Sequence, residues 1–140
     1  MTDSQFPERI TIGSNTTRIQ VRYSETDKGG VVHNSVYPDW FEIGRTELLR
    51  ANKVSYKSLE DAGIFFVVAE LNVKYRRPAY YDDIIDITAW CSKVTASRIE
   101  HSYRLVRKSD GVLIADGKTV IACIRQGKVS RIPEFMYPAD

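Results

Sequence analysis

The chain has 140 residues, a hydrophobic fraction of 43%, a charged fraction of 27% and a formal net charge of +2. This length predicts one domain whose core is large enough to be stable without disulfides or metal. The small net charge excludes a dedicated nucleic-acid-binding protein, which would carry a large basic excess. The N-terminus lacks the apolar region of a signal peptide, and no apolar stretch approaches the ~20 residues that span a bilayer. A cytoplasmic protein with no membrane span is predicted.

Residues 1–17 are polar and rich in turn formers, which predicts a flexible N-terminal arm ahead of a single domain at residues 18–140. Between residues 17 and 23 apolar and polar residues alternate, as in a half-buried strand. Gly29 and Gly30 then indicate a loop. Ser35 is the expected N-cap of the next helix, because it places Pro38 in the first turn, where a missing N–H costs nothing.

The long helix is predicted to end near Ala51, and its apolar residues repeat every three or four positions. Glycine in mid-helix costs about 1 kcal/mol relative to alanine, so Gly44 predicts a close approach of this helix to a sheet. A short helix over residues 55–62 and long strands beginning near residues 64, 84, 98 and 112 complete the chain. Consecutive strands with tight turns are antiparallel. The predicted fold class is α+β, a curved antiparallel sheet wrapped around one central helix.

Few residues are suited to nucleophilic catalysis. Cys91 and Cys123 lie in apolar runs without metal-ligand spacing, and they are expected to be small buried residues in a reducing compartment. The two histidines are His33 and His101, and His101 lies in an alternating strand where a structural role is expected. The chain has no Gly-x-Ser-x-Gly elbow and no glycine-rich phosphate loop. No metal site is predicted.

One dense polar cluster remains, between the first strand and the long helix, and it includes Asp27, His33 and Asn34. A helix N-terminus presents unpaired N–H groups that can stabilise an oxyanion. A carboxylate on a glycine-containing loop just upstream can act on the same carbonyl group or on a water beside it. The alternative is that Asp27 only caps a turn, as many aspartates do.

The residues of this cluster resemble a known family. The motif Thr-Asp-x-x-Gly-x-Val at residues 26–32, followed by Tyr37 ten residues after Asp27, is similar to hotdog-fold acyl-CoA thioesterases. The resemblance is to the 4-hydroxybenzoyl-CoA thioesterase family, in its branch of small bacterial enzymes associated with the Tol-Pal system. It extends from about residue 18 to residue 136 and includes Phe41-Glu42 with Arg45, Val67-Val68, Tyr75-x-x-Pro78 and Asp82-Asp83.

The resemblance implies an enzyme, a thioester hydrolase without metal or organic cofactor. Asp27 matches the catalytic aspartate, acting as nucleophile or as general base for water. Asn34 matches the position whose backbone N–H polarises the thioester carbonyl. The side chains of His33 and Asn34 are candidates for orienting Asp27, water or the acyl group. The substrate implied is acyl-CoA, with acyl carrier protein as an open alternative for the thiol partner, and the assembly implied is a dimer, often paired into a homotetramer.

Further residues are implied to bind substrate. Tyr37 matches a tyrosine at the helix start, where simple packing is the alternative. Glu42 matches a position facing the acyl pocket, and a salt bridge to Arg45 is its alternative role. The family binds CoA phosphates at the turn after a long strand, which here offers Lys93, Ser97 and Arg98 and fewer positive charges than the family pattern. Arg76 and Arg77 are other candidates.

Two rival functions remain open from the sequence. A hydratase or dehydratase on the same fold would use a histidine of the central helix, and His33 lies just before that helix. A non-catalytic module that binds acyl-CoA or acyl carrier protein would not need Asp27. Release of free thiol from saturated acyl-CoA distinguishes the thioesterase from both.

Overall fold

Six strands form one antiparallel sheet in the computed structural model, which describes residues 6–137. The order across the sheet is β1-β3-β4-β5-β2, and the short β6 pairs with the end of β5. The strands are β1 (Ser14–Gln20), β2 (Phe65–Tyr75), β3 (Ile84–Val94), β4 (Arg98–Arg107), β5 (Leu113–Arg125) and β6 (Lys128–Ser130). The helices are α1 (Tyr37–Ala51) and α2 (Tyr56–Asp61). This architecture confirms the predicted fold class.

The central helix is buried because its apolar stripe faces the sheet. Trp40 and Phe41 are fully buried, and they pack with Ile85 and Ile87 of β3 in the larger core cluster. A Cβ atom added to Gly44 would lie 2.8 Å from Cγ2 of Ile87, so only glycine lets α1 approach β3 this closely. The close approach predicted from Gly44 is confirmed.

A second core cluster lies beside the C-terminal half of α1. It joins Leu49, Leu59 of α2 and Ile121 of β5 to residues near both ends of the described chain. Phe6 stacks on Phe135 with ring centroids 4.8 Å apart. The first strand begins at Ser14, so the arm predicted over residues 1–17 does not extend to residue 17. Its residues 1–5 lie outside the described residues.

The start of the helical segment differs from the prediction that Ser35 is the cap. A single 3-10 turn, Asn34–Val36, precedes α1, and its N-cap is His33. The imidazole Nδ1 of His33 accepts the N–H of Ser35 at 3.1 Å. The side chain of His33 therefore caps the segment in place of the expected serine hydroxyl, and the helical segment begins two residues earlier. Pro38 lies in the first turn of α1, as predicted.

Candidate active site

The polar cluster forms a short hairpin that leads directly into the helical segment. Thr26 and Val32 form an antiparallel bridge, and the N–H of Asp27 donates to the carbonyl of Val31 at 2.9 Å. The chain turns through Gly30, whose φ of 75° lies in the left-handed region that favours glycine. Asp27 is consequently held at the tip of the hairpin, where its side chain is exposed.

The carboxylate of Asp27 has one internal partner. Its Oδ1 accepts the N–H of Gly29 at 3.0 Å, which is the turn-capping bond expected of an aspartate. No hydrogen bond from residues 6–137 reaches its Oδ2. Capping and catalysis are therefore compatible, because the capping bond orients the carboxylate and leaves the second oxygen available.

The N–H groups at the start of the helical segment differ in their partners. The N–H of Ser35 donates to His33, and the N–H of Val36 donates to the carbonyl of His33 at 3.0 Å. Within the described chain, the N–H of Asn34 has no acceptor. Asn34 is an exposed residue, and its N–H lies at the positive end of the helical dipole. This N–H is the available donor for a carbonyl oxygen.

His33 holds the backbone that carries this donor. Its N–H donates to the carbonyl of Glu25 at 3.0 Å, and its Nδ1 also lies 2.8 Å from the hydroxyl of Ser35. Because Nδ1 accepts the N–H of Ser35, the hydrogen of the neutral ring is on Nε2. The observed role of His33 is thus to cap the 3-10 turn. A dehydratase would use a histidine on the central helix, and α1 contains none.

Sequence reasoning did not predict the supporting contacts of two residues of the site. Tyr75, at the end of β2, donates its hydroxyl hydrogen to the carbonyl of Asn34 at 2.9 Å. Glu25 accepts the indole N–H of Trp40 at 3.0 Å and the backbone N–H of Arg22 at 2.7 Å. Glu25 is adjacent to the motif, but Tyr75 lies 41 residues from Asn34, so only the tertiary fold reveals its contact.

The predicted substrate-binding residues are not all close together. Tyr37 is buried, packs against Trp40 and meets Tyr75 edge-on with ring centroids 5.0 Å apart, and burial raises the pKa of its hydroxyl. Packing, the alternative role, is therefore the one observed for Tyr37. Glu42 has an exposed side chain and lies 3.4 Å from Arg45, so the predicted salt bridge forms.

The three residues predicted at the phosphate turn lie far from Asp27 within one chain. The hairpin follows β1, whose end pairs with Ile84 at the start of β3. Lys93, Ser97 and Arg98 lie at or beyond the opposite end of β3, roughly 30 Å from its start at ~3.3 Å per residue. Arg98 also pairs with Glu70 at 3.7 Å. One chain therefore does not bring these three residues to its own Asp27.

Arginines at the same end of the sheet lie nearer to the hairpin. Arg76 and Arg77 follow directly after Tyr75, and with Tyr75 they line an open groove of about 630 Å³. Arg76 pairs with Asp116 at 3.2 Å. Among residues 6–137 no acidic side chain lies within salt-bridge distance of Arg77, whose side chain donates only to the neighbouring carbonyl of Arg76.

The described residues give little support to thiolate or metal chemistry. Cys91 and Cys123 are free thiols, and burial raises the pKa of both, which disfavours the reactive thiolate. No group of three or more metal-ligating side chains occurs within residues 6–137. No helix of this part of the chain is long and apolar enough to cross a membrane.

Comparison with known proteins agrees with the fold. Residues 21–139 match the model of the thioesterase-like superfamily, and the chain belongs to this family. It is 32% identical to the acyl-CoA thioesterase YbgC of Haemophilus influenzae, over 81% of this chain and 83% of that protein. The recognition of a hotdog-fold thioesterase, and hence of a thioester hydrolase, is confirmed.

Two solved structures share the architecture. The crystal structure of the hypothetical protein TT1821 from Thermus thermophilus superimposes with a TM-score of 0.81 at 37% identity, covering 85% of this chain and 91% of that one. A DHNA-CoA thioesterase from Staphylococcus aureus superimposes with a TM-score of 0.79 at 31% identity, covering 85% of this chain and 79% of that one. These proteins are similar to the present chain across most of their length.

Proposed function

We propose that this chain hydrolyses an acyl-CoA thioester to a free acid and CoA at the hairpin formed by residues 26–34. The observation that carries the proposal is the N–H of Asn34, which has no acceptor within residues 6–137 and lies on the same hairpin as the exposed carboxylate of Asp27. A hydrogen-bond donor for the carbonyl oxygen and a carboxylate for the carbonyl carbon or for water are the two groups that acyl transfer needs.

In the proposed reaction the thioester carbonyl oxygen accepts the N–H of Asn34, which lowers the energy of the developing oxyanion. In the general-base route, Asp27 takes a proton from water while the water oxygen adds to the carbonyl carbon. In the nucleophilic route, Asp27 adds directly and forms an anhydride that water then cleaves. In both routes the C–S bond breaks and CoA leaves as the thiolate.

A single turnover in oxygen-18 water tests the nucleophilic route, because a labelled Asp27 arises only from that route. When water opens an anhydride at the aspartyl carbon, the heavy oxygen enters Asp27 and is detected by mass spectrometry of its peptide. In the general-base route Asp27 stays unlabelled and the heavy oxygen enters the product acid. The contacts of Asp27 are compatible with both roles, since its Oδ2 has no partner in the described chain.

The test of the proposal is Asp27→Asn. Asparagine retains the oxygen that accepts the N–H of Gly29, so the hairpin should keep its shape. Turnover should fall by about 10²–10⁴-fold, the usual contribution of such a group, as measured by thiol release from acyl-CoA. Asp39→Asn, another exposed aspartate near the start of α1, should retain full activity. Full turnover in Asp27→Asn would overturn the proposal.

We place the thioester at an interface between two copies of the chain. The edge strand β2 leaves several large apolar side chains about half exposed: Phe65, Val67, Val68 and Leu71. An unpaired strand edge with exposed apolar residues favours association. A partner would also be needed to bring Lys93, Ser97 and Arg98 to a thioester at Asp27. Replacing Val67 and Leu71 by lysine should yield monomers in light scattering and lower thiol release.

The acyl group and the thiol carrier belong to the same proposal. Two of the relatives named above are an acyl-CoA thioesterase and a DHNA-CoA thioesterase. We propose CoA as the thiol carrier, with Arg76 and Arg77 as the phosphate contacts nearest to the hairpin. We also propose that the protein is located in the cytoplasm. A thiol-release screen over short, long and aromatic acyl-CoAs, with matched acyl carrier protein substrates, tests both choices.

A further inference from the structure

A cavity of about 160 Å³ lies beside the C-terminal half of α1 and does not include any residue of the hairpin. Its walls come from α1, from residues 10–13 and from strands β3, β4 and β5. Most of the lining is apolar, with contributions from Leu48, Ile99, Ile121 and Met136. An apolar protein cavity of about 150 Å³ accommodates benzene, so this cavity has room for a ligand of that size.

The wall of this cavity contains a buried positive charge. Arg45 is only 7% exposed, and arginine stays protonated in proteins. Its Nη1 donates to the hydroxyl of Tyr103 at 3.5 Å, and its Nη2 lies 3.4 Å from Glu42, whose side chain is 68% exposed. Both contacts are long for charge-assisted hydrogen bonds, which are usually about 2.7–2.9 Å. The guanidinium therefore keeps donors available for an anion.

The hydroxyl groups beside the guanidinium do not supply the missing negative charge. Tyr103 is buried, and its hydroxyl lies 2.6 Å from the hydroxyl of Thr119. Tyr56 also lies near Arg45, and burial raises the pKa of both tyrosines, which keeps them neutral. A buried charge normally has an oppositely charged partner, because burying it alone is costly. Within residues 6–137, only the exposed Glu42 offers one.

A second polar group in the wall has no partner. His101 is 8% exposed and lines the cavity, and its Nδ1 is buried without a hydrogen bond within the described chain. Burial, and then the charge of Arg45, lower the pKa of His101 to about 4. The ring is neutral near pH 7, so one of its nitrogens carries a hydrogen and can donate it. Such an unsatisfied buried group usually marks a missing partner.

The segment over the cavity is attached mainly by one side chain. The Oδ1 of Asn52 accepts the N–H groups of Thr11 and Ile12 at 3.1 and 2.9 Å, and its Nδ2 donates to the carbonyl of Ile12 at 3.0 Å. Residues 11–13 form no helix or strand. A segment of this kind can detach without disturbing the sheet, which provides a route into the cavity.

We propose that this cavity is a binding site for a small carboxylic acid, with the carboxylate on Arg45 and His101 and an apolar body no larger than a benzene ring against the apolar wall. A carboxylate matches the planar donor pair of a guanidinium. A phosphate or sulfate ion would leave the apolar wall without a partner, and a neutral hydrocarbon would leave the charge without one. The site is separate from the reaction proposed at Asp27.

The test is binding of benzoate to the full-length chain, with benzyl alcohol as the uncharged probe of similar shape. Calorimetry should detect saturable binding of benzoate, and benzyl alcohol should bind at least tenfold more weakly. In amide NMR spectra, benzoate should shift signals of residues 10–13 and residues near His101, but not those of residues 27–34. This comparison of two probes needs no variant and so does not depend on the folding of a mutant.

Variants then assign the contacts. Arg45→Met should weaken benzoate binding at least tenfold and leave benzyl alcohol binding within about twofold. Arg50→Met is the matched control, because Arg50 lies on the same helix with an exposed side chain paired to Glu47, and it should bind benzoate normally. Asp27→Asn should also bind benzoate normally, which separates this result from any result on hydrolysis.

Several outcomes would overturn the proposal. They are no saturable binding of benzoate, equal binding of benzoate and benzyl alcohol, and undiminished binding to a folded Arg45→Met variant. Displacement of benzoate by a non-hydrolysable acyl-CoA analogue would show that the cavity is the end of an acyl channel from the hairpin. Shifts confined to residues 27–34 would place the ligand at the hairpin, and they would also reject a separate site.

Discussion

The hairpin at the N-terminal end of the helical segment and the cavity beside the C-terminal half of α1 are built in opposite ways. Asp27 is exposed, and its contacts are to residues at most four positions away. The cavity brings together Arg45, His101 and Asn52 with a segment some forty residues upstream of Asn52. The hairpin presents polar groups to solvent at little cost, whereas the cavity buries a charge and a ring nitrogen that has no partner within residues 6–137.

This difference implies different responses to substitution. Changes in the exposed hairpin should alter the rate and leave the free energy of unfolding nearly unchanged, because few buried contacts are lost. Changes around the cavity should alter stability, since buried polar groups and tight packing are involved. The predictions that follow test this contrast, beginning with the largest expected effect.

The largest effect is expected in the pH dependence of stability. The pKa of His101 is lowered in the folded chain to about 4, whereas the unfolded value is 6.5. The unfolded chain therefore binds a proton first as the pH falls, and folding loses stability between pH 6.5 and about 4. The loss approaches about 3 kcal/mol, at 1.36 kcal/mol for each pKa unit.

Chemical denaturation of the wild type and His101→Phe between pH 7 and pH 4 measures this loss of stability. Phenylalanine does not titrate, so the difference between the two stability curves isolates His101 from the carboxylates. The wild type should lose stability relative to the variant as the pH falls through this window. Parallel curves would show that His101 is not buried in a neutral form.

Asn52→Ala should release the segment over the cavity. The substitution removes the acceptor of the N–H groups of Thr11 and Ile12, and the expected loss of stability is about 1–3 kcal/mol. Hydrogen exchange of these two amides should accelerate more than exchange in β3 and β4. Asn72→Ala, at an exposed position in β2, should leave exchange at residues 11 and 12 unchanged.

Gly44→Ala should destabilise the fold through packing. The added Cβ would lie 2.8 Å from Ile87 and 3.3 Å from Ala89, and such overpacking costs about 1–3 kcal/mol. The better helix propensity of alanine offsets about 1 kcal/mol of this cost. Gly29→Ala in the hairpin adds a Cβ whose nearest neighbour is 3.7 Å away, and its thermal unfolding should match the wild type. Equal midpoints of thermal unfolding for Gly44→Ala and Gly29→Ala would contradict the expected difference between the buried interior and the exposed hairpin.

The smallest effect is expected at Tyr75, and it should appear in the rate. Tyr75→Phe removes the hydrogen bond to the carbonyl of Asn34, a bond worth about 0.5–1.5 kcal/mol. The value of kcat should fall about two- to tenfold while KM and the unfolding midpoint change little. Tyr81→Phe is the control, because Tyr81 is also about half exposed and contacts Tyr23 edge-on. If kcat fell equally in Tyr81→Phe, Tyr75 would have no specific role in the site.

Much of the hairpin could be predicted from the sequence because its interactions are local. The turn at Gly29 and Gly30, the exposed position of Asp27 and the helical segment beginning near Asn34 all depend on residues close in sequence. The choice of cap was wrong, because the side chain of His33 accepts the N–H of Ser35 and starts the helical segment earlier. Periodicity does not distinguish two polar residues, two positions apart, that can both cap.

The sequence by itself determined the alternating strands and the apolar stripe of α1, because each follows from the period of hydrophobic residues along one element. It also determined the close packing at Gly44, because a glycine in mid-helix indicates a close approach to a neighbour. Only the tertiary structure decided which distant residues meet. Tyr75 reaches Asn34 through the pairing of β2 with β5, and Arg45 meets His101 through the packing of α1 on the sheet. These contacts depend on strand order and register, which local patterns of hydrophobicity do not encode.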